Sequence, residues 1–196
     1  MRLNITVDKR SIPVFLTLLQ EGVTLNGNIG ASVRDTIKEH LDITDEYIDK
    51  KISTVLLDSS VVDDMDRAVI KEGSVLALSG AMPGLVGATM RTHSFYASFR
   101  NAITYREKQD AHKVKQGRFH IKLFNVLLKE LGPKLLKKGI LVDSAKLYEI
   151  LNAQSEKTAM DIKEVSLDDV SLDLDKVNKI LMDNDKSMIE LAVNCL

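Results

Sequence analysis

Apolar and polar positions alternate at the start of the chain. Leu3, Ile5 and Val7 stand against Asn4 and Thr6, a period of two that predicts a strand. Ile12 to Leu19 is continuously apolar and fits either a buried strand or a short helix. Asn26-Gly27-Asn28 after Val23-Thr24-Leu25 reads as a turn. Ser32, with Asp35 three positions on, is a helix N-cap, and Val33, Ile37 and Leu41 form one helical face. Thr44 caps a second short helix. Ile52 to Leu57, the turn Asp58-Ser59-Ser60, Val61-Val62, the turn Lys71-Glu72-Gly73 and Val75 to Leu78 then spell strand, turn, strand, turn, strand.

Ser79 to Gly87 holds three glycines and a proline, which predicts a loop or linker. Phe95 to Tyr105 and Phe119 to Phe124 look extended, with the polar stretch Lys108 to Gly117 between them, so a long-looped hairpin is expected. Its aromatics Phe95 and Phe99 are expected in the core. Val126 to Leu131 starts a helix that Gly132-Pro133 should interrupt. Gly139 is a C-cap, and Ser144 caps another helix through Ile150-Leu151. In the tail, Leu167, Val170, Leu174, Val177, Leu181, Asn184, Met188, Leu191 and Cys195 alternate spacings of three and four, a heptad seam with one polar member. A helix start at Ser171 or Asp173 would shorten it. No internal repeat is evident.

The pattern predicts an α+β protein: a lobe over residues 1–90, then a basic hairpin and a mostly helical region over 91–196. From Ser32 to Gly84 the chain resembles the small sulfur carriers of thiamine and molybdopterin biosynthesis. The residues that carry the likeness are Ala31-Ser32-Val33-Arg34-Asp35 at the helix start, Val55 to Val62 as strand and turn, and Val69 to Leu78 leading to the last strand. The resemblance implies a ubiquitin-like β-grasp fold for the first lobe. Those carriers work through a free C-terminal Gly-Gly, which is adenylated and turned into a thiocarboxylate. Here Met82-Pro83-Gly84 stands in that place and 112 residues follow, so carrier chemistry would need proteolytic processing first.

Composition sharpens this picture at a few points. At 196 residues, 44% apolar and 28% charged, the chain can build an ordinary core without Trp. Its net charge of −1 gives no global attraction to nucleic acid. The charge is segregated, however. Arg91 to Lys122 holds eight Lys/Arg and two carboxylates, a net of +6, while Val142 to Leu196 holds six Lys and twelve carboxylates, a net of −6. One cysteine, Cys195, excludes an internal disulfide and suits a reducing compartment. The start of the chain has no signal-peptide h-region, and no apolar run reaches the roughly 18 residues of a membrane span. A cytoplasmic location and no membrane partner are expected.

Candidate chemistry is thin. His40, His93, His112 and His120 form no zinc-ligand pair. Asp63, Asp64 and Asp66 can be read as a cation site or a solvated loop. No Gly-x-Ser-x-Gly elbow supports a Ser/His/Asp triad. Gly80, Gly84 and Gly87 lack the Lys of a phosphate loop. The expectation is therefore non-catalytic, without metal or cofactor: a protein-binding or scaffolding module that self-associates as a homodimer through the seam Leu174, Val177, Leu181, Asn184, Met188 and Leu191. An alternative uses Arg91, Arg100, Arg106, Lys113, Lys115 and Arg118, with Gly80, Pro83, Gly84 and Gly87 beside them, to bind RNA or another anion. The hairpin could equally pair with the protein's own acidic tail. A processed sulfur carrier is a further alternative.

Overall fold

The computed structural model describes residues 1–92, 94–106, 113–152, 160–184 and 187–196. In chain order its elements are β1 (Arg2–Val7), α1 (Ile12–Glu21), β2 (Val23–Ile29), α2 (Val33–Leu41), α3 (Asp45–Lys51), β3 (Thr54–Leu57), β4 (Ser60–Val61), β5 (Val75–Ser79) and α4 (Gly84–Met90). A 3-10 segment, Phe95–Ile103, precedes β6 (Lys115–Phe124), α5 (Asn125–Lys138), β7 (Ile140–Asp143), α6 (Ser144–Asn152), β8 (Ile162–Leu167), β9 (Val170–Ser171), α7 (Leu174–Asp183) and β10 (Met188–Cys195). Among the described residues helix takes 43% and strand 32%, so the class is mixed α/β.

The chain divides into two compact units. One joins Met1–Val23 to Gly132–Leu196, and the other is Thr24–Leu131. This differs from the expected split into 1–90 and 91–196 because β1 pairs with partners far along the chain. It lies parallel to β10 and antiparallel to β8.

In the Thr24–Leu131 unit the strand order is β4-β3-β5-β6-β2. The pair β5–β6 is parallel, and β3 is antiparallel to both β4 and β5. The predicted caps are present: Ser32 accepts from the Asp35 N–H and Thr44 from the Tyr47 N–H. Val33, Ile37 and Leu41 are buried, as the helical face predicts. The Asn26-Gly27-Asn28 turn does not form, and β2 runs straight through it. Gly27 is there for close approach: a Cβ would lie 2.7 Å from His40 Nε2 and 2.8 Å from the Phe119 ring.

In the other unit the order is β7-β10-β1-β8-β9, again with a parallel pair, β1–β10, at its centre. The ambiguous run from Ile12 is a helix. Pro13 sits in its first turn, where the missing N–H is harmless, and Ile12, Phe15, Leu18 and Leu19 are buried at helical spacing. The tail corrects the heptad seam. The helix holds only Leu174, Val177 and Leu181 and ends at Asp183. Asn184 is its C-cap, with its N–H and side-chain amide both donating to the Ile180 carbonyl. Met188, Leu191 and Cys195 lie in β10, where Ile189, Leu191 and Val193 are buried at a strand period. Alternating threes and fours overlap a period of two over such a short span.

Two further expectations fail for packing reasons. Gly132-Pro133 does not break the helix. Pro133 lies inside α5, whose Leu127, Leu128, Leu131, Leu135 and Leu136 are buried on one side. That burial outweighs a proline cost of about 3 kcal/mol. Asp143 rather than Ser144 caps α6, accepting from the Ala145 N–H, while the Ser144 hydroxyl donates to the Asn184 carbonyl.

The two units share one device. Between β3 and β4 the turn residues Asp58 and Ser59 have φ of 50° and 66°, and between β8 and β9 Asp168 and Asp169 have 46° and 66°. The Asp58 N–H donates to the Val75 carbonyl at 3.0 Å, and the Val75 N–H returns to Asp58 Oδ1 at 2.7 Å. The Asp168 N–H donates to the Arg2 carbonyl at 2.8 Å, and the Arg2 N–H returns to Asp168 Oδ1 at 2.7 Å. Val55-Leu56-Leu57-Asp58 and Val165-Ser166-Leu167-Asp168 thus share one turn motif.

Asp58→Ala and Asp168→Ala should each cost about 1–2 kcal/mol, since each strands a main-chain donor and puts Ala in a left-handed turn. Asp58→Asn should cost clearly less, because Asn keeps an acceptor and tolerates that conformation. Urea-unfolding midpoints check both, and equal losses for Asp58→Ala and Asp58→Asn would refute the clamp.

Candidate functional site

The expected basic hairpin does not exist. Phe95–Ile103 is a 3-10 segment, opened by Ser94 accepting from the Tyr96 N–H and kinked at Arg100. β6 pairs parallel with β5 instead of folding back on residues 95–105. A parallel pair needs a crossover of a dozen residues or more, and Gly80 to Val114 is that crossover. His93 and His112, with most of the polar stretch Lys108 to Gly117, lie outside the described residues.

The parallel register also separates the candidate anion site. Val75 stands opposite His120 and Ser79 opposite Phe124. Lys113, Lys115 and Arg118 therefore precede the start of the paired strands, whereas Gly80, Pro83, Gly84 and Gly87 follow their end. Gly80 and Gly87 are buried; Pro83, Gly84, Lys113, Lys115 and Arg118 are exposed. Gly87 is required by crowding, because a Cβ there would run into the main chain of Met82.

The crossover is turned inside out. α4 buries Gly87, and the 3-10 segment buries Arg100, which is 3% exposed. Phe95 and Phe99, expected in the core, are 91% and 80% exposed, and Leu85 and Val86 are exposed beside them in the chain order. The Phe95 and Tyr96 rings meet edge to face at 5.4 Å, and the Tyr96 and Phe99 centroids lie 6.3 Å apart.

Arg100 is removed from any external anion site by its own contacts. Nη1 and Nη2 donate to the two Asp63 carboxylate oxygens at 3.0 and 2.6 Å, a bidentate pair. Nη1 also donates to Thr104 Oγ1, Nη2 to the Arg91 carbonyl and Nε to the Thr89 carbonyl. Its ends are tied as well: the Thr92 N–H donates to the Ser53 carbonyl and the Tyr105 N–H to the Val61 carbonyl. The segment is therefore held in place with its aromatics outward. Sequence reasoning set Asp63 among candidate metal ligands and Arg100 among anion contacts. They are partners, 37 positions apart, and nothing local in the sequence signals that.

The other acidic residues are committed to nearby groups too. Arg34 reaches Asp45, Asp49 and Asp66 at 3.0 to 3.3 Å. Asp64 Oδ1 accepts from the Asp66 and Arg67 N–H groups. The hydrogen bond from Lys38 holds the Asp45 carboxyl below its usual range. Burial, then a hydrogen bond to Glu130, pushes the Tyr47 hydroxyl up. Among the described residues no three His, Cys, Asp or Glu side chains converge as a metal site. His120 Nδ1 lies 3.0 Å from Thr24 Oγ1, the His40 ring packs edge-on against Phe119, and Cys195 is exposed. Among the described residues no helix is long and apolar enough to cross a membrane.

Comparison with protein-family models, curated proteins and solved structures found no match. The class is therefore set by the structure alone: a mixed α/β protein whose most distinctive surface is an apolar, aromatic crossover.

The buried pair makes an asymmetric prediction. Asp63→Ala strands the Arg100 charge in the interior and should cost about 3 kcal/mol. Arg100→Met replaces the buried ion with an apolar stem and leaves Asp63, whose side chain is 30% exposed, able to hydrate. It should cost less than half as much. Arg91→Ala, at an exposed position, should change stability by under about 0.5 kcal/mol. Denaturant unfolding of the three variants orders them.

Proposed function

We propose that the protein is a non-catalytic docking module and that residues 80–92 and 94–106 form its docking surface. One observation carries this reading: Phe95 and Phe99 are held almost fully in solvent by a segment whose buried side chain is an arginine. A protein that immobilises aromatics outside its core offers them to something else, because exposed apolar patches mark interaction sites. Tyr and Phe are favoured anchors at such surfaces.

The β-grasp resemblance is kept with one reassignment. Its expected order was strand, strand, helix, strand, turn, strand. In the Thr24–Leu131 unit β2, α2, β3, the Asp58 turn, β4 and β5 supply all but the first strand. β6 stands between β5 and β2. Sulfur-carrier chemistry would still need cleavage at Gly84, which here is the first residue of α4. RNA binding through a basic hairpin loses support, since Arg100 faces inward and no hairpin joins it to Lys113, Lys115 and Arg118 at the start of β6. Self-association through a helical seam loses half of that seam, because Asn184, Met188 and Leu191 lie beyond α7.

Photoreactive phenylalanine placed at 95 or 99 in cells should give covalent adducts that the same probe at the exposed Met182 does not give. Adducts equally abundant at all three positions, or none at 95 and 99, would count against docking. The double change Phe95→Ser, Phe99→Ser should leave unfolding stability within about 0.5 kcal/mol of the parent, because both rings stand in solvent and the ring they meet, Tyr96, is itself exposed.

A further inference from the structure

We infer that the outer edge of the β8–β9 hairpin takes up an extended, arginine-bearing segment of a partner protein. Its residues are not those of the docking surface proposed above. The two hairpins that share the aspartate turn are alike in their ladders and differ at their outer edges. Val165 answers to Val55 and Asp168 to Asp58. The next rung is also the same: the Val62 N–H donates to the Val55 carbonyl at 2.9 Å and the Leu172 N–H to the Val165 carbonyl at 3.0 Å. Ser171 therefore stands where Val61 stands, and Asp173 holds the chain position of Asp63. Val61 and Ser171 both turn their main-chain groups away from the hairpin, because the residues on either side of each bond inward.

In the Thr24–Leu131 unit the edge is filled. Thr104 forms a parallel bridge with Val61, and the Tyr105 N–H donates to the Val61 carbonyl at 2.8 Å. Arg100 of the same segment holds both Asp63 oxygens. Thr92 stands with Ile52, Asp63 and Asp64 in the wall of the neighbouring cavity, its N–H on the Ser53 carbonyl at 2.8 Å. In the other unit the same places are open among the described residues. No N–H there donates to the Ser171 carbonyl, and Val170 and Ser171 are exposed. The Asp173 side chain is 81% exposed, and its ion pair is with Lys176, one turn on in α7, at 3.5 Å. The corresponding groove, about 320 Å³, is walled by residues of the hairpin and its flanks, among them Ile162, Lys163, Leu172 and Leu174.

The filled edge shows what the open one accepts: a strand parallel to β9 that donates a main-chain N–H to Ser171 and a guanidinium to Asp173. Charge favours the same occupant. Lys163 is held by Asp161 at 2.6 Å, while Glu164, Asp169 and Asp175 stand exposed along the edge. β9 is only two residues long, which guards it against indiscriminate strand pairing, so the arginine does the selecting.

The test is a nuclear magnetic resonance titration of the isotope-labelled full chain with a capped peptide of the chain's own residues Arg100 to Arg106, the sequence that fills the counterpart edge. Amide shifts are expected at Val170 to Leu174. They are not expected at Ser60 to Asp63, where the tethered segment outcompetes a free peptide. Asp173→Asn removes the charge and keeps a residue suited to the start of α7, so the fold is retained. It should weaken the peptide about tenfold, and so should Arg100→Met within the peptide. A peptide N-methylated at Tyr105 lacks the donor for Ser171 and should weaken comparably. Absence of shifts at Val170 to Leu174, shifts confined to Ser60 to Asp63, or an affinity that survives either Asp173→Asn or the N-methyl group overturns the inference.

Discussion

The Asp at each hairpin turn is the contact on which the sheet register depends. Antiparallel strands joined by a tight turn inherit their register from that turn; a parallel pair has no such guide, because its connection is long. In both units the strand before the hairpin turn sits next to a member of the parallel pair. Asp58 and Asp168 fix that member by a reciprocal bond, main-chain N–H out and side-chain oxygen back. The same rows follow from it. Leu57 faces Leu76 and Leu76 faces Ile121, while Leu167 faces Leu3 and Leu3 faces Leu191. A slip by one residue would turn each of these apolar rows to the wrong face. The left-handed conformation of Asp58 and Asp168 is part of the device, since it aims the carboxylate back along the neighbouring strand.

What the sequence made legible was local chemistry. Ser32 and Thr44 cap helices through bonds that span three residues, and the turns at Asp58-Ser59 and Lys71-Glu72-Gly73 need only the residues within them. Pairing is decided elsewhere. β1 finds its partners more than 150 residues away, so a strand that reads as the first of one lobe belongs to the other unit. Gly27 shows the same limit from another side: its turn-like neighbours are overruled by His40 and Phe119, which need the space a side chain would fill. The repeated Val-x-Leu-Asp stretches at 55 and 165 stand in the chain. Four residues are too few to mark a repeat until their identical bonding is seen.

The candidate surface was half legible. Gly80 to Pro83 is irregular as expected, but Ser79 ends β5 and Gly84 to Gly87 lie in α4, so the expected loop is less than half as long; the arginines and aromatics after it stood out as unusual. Their orientation could not be read. An alternating aromatic and basic stretch predicts a strand with rings inward and charges outward, the ordinary outcome of burying apolar area. The outcome here is reversed, and the reversal turns on Asp63, which the sequence places with Asp64 and Asp66 as one acidic group.

That reversal is the strongest argument for a partner. A fully buried phenylalanine is worth about 1.5–3 kcal/mol over an exposed one. Burying a charged guanidinium costs several kcal/mol before its bonds are made, and a well-bonded pair does little better than an apolar replacement. On folding alone, an arrangement with the rings inside and Arg100 in water would therefore be at least as favourable. Proteins of this size hold only about 5–15 kcal/mol in total, so such a choice is not a small one. The unused apolar area is available to an association, and the Arg100–Asp63 pair keeps it available by denying the segment the collapsed alternative.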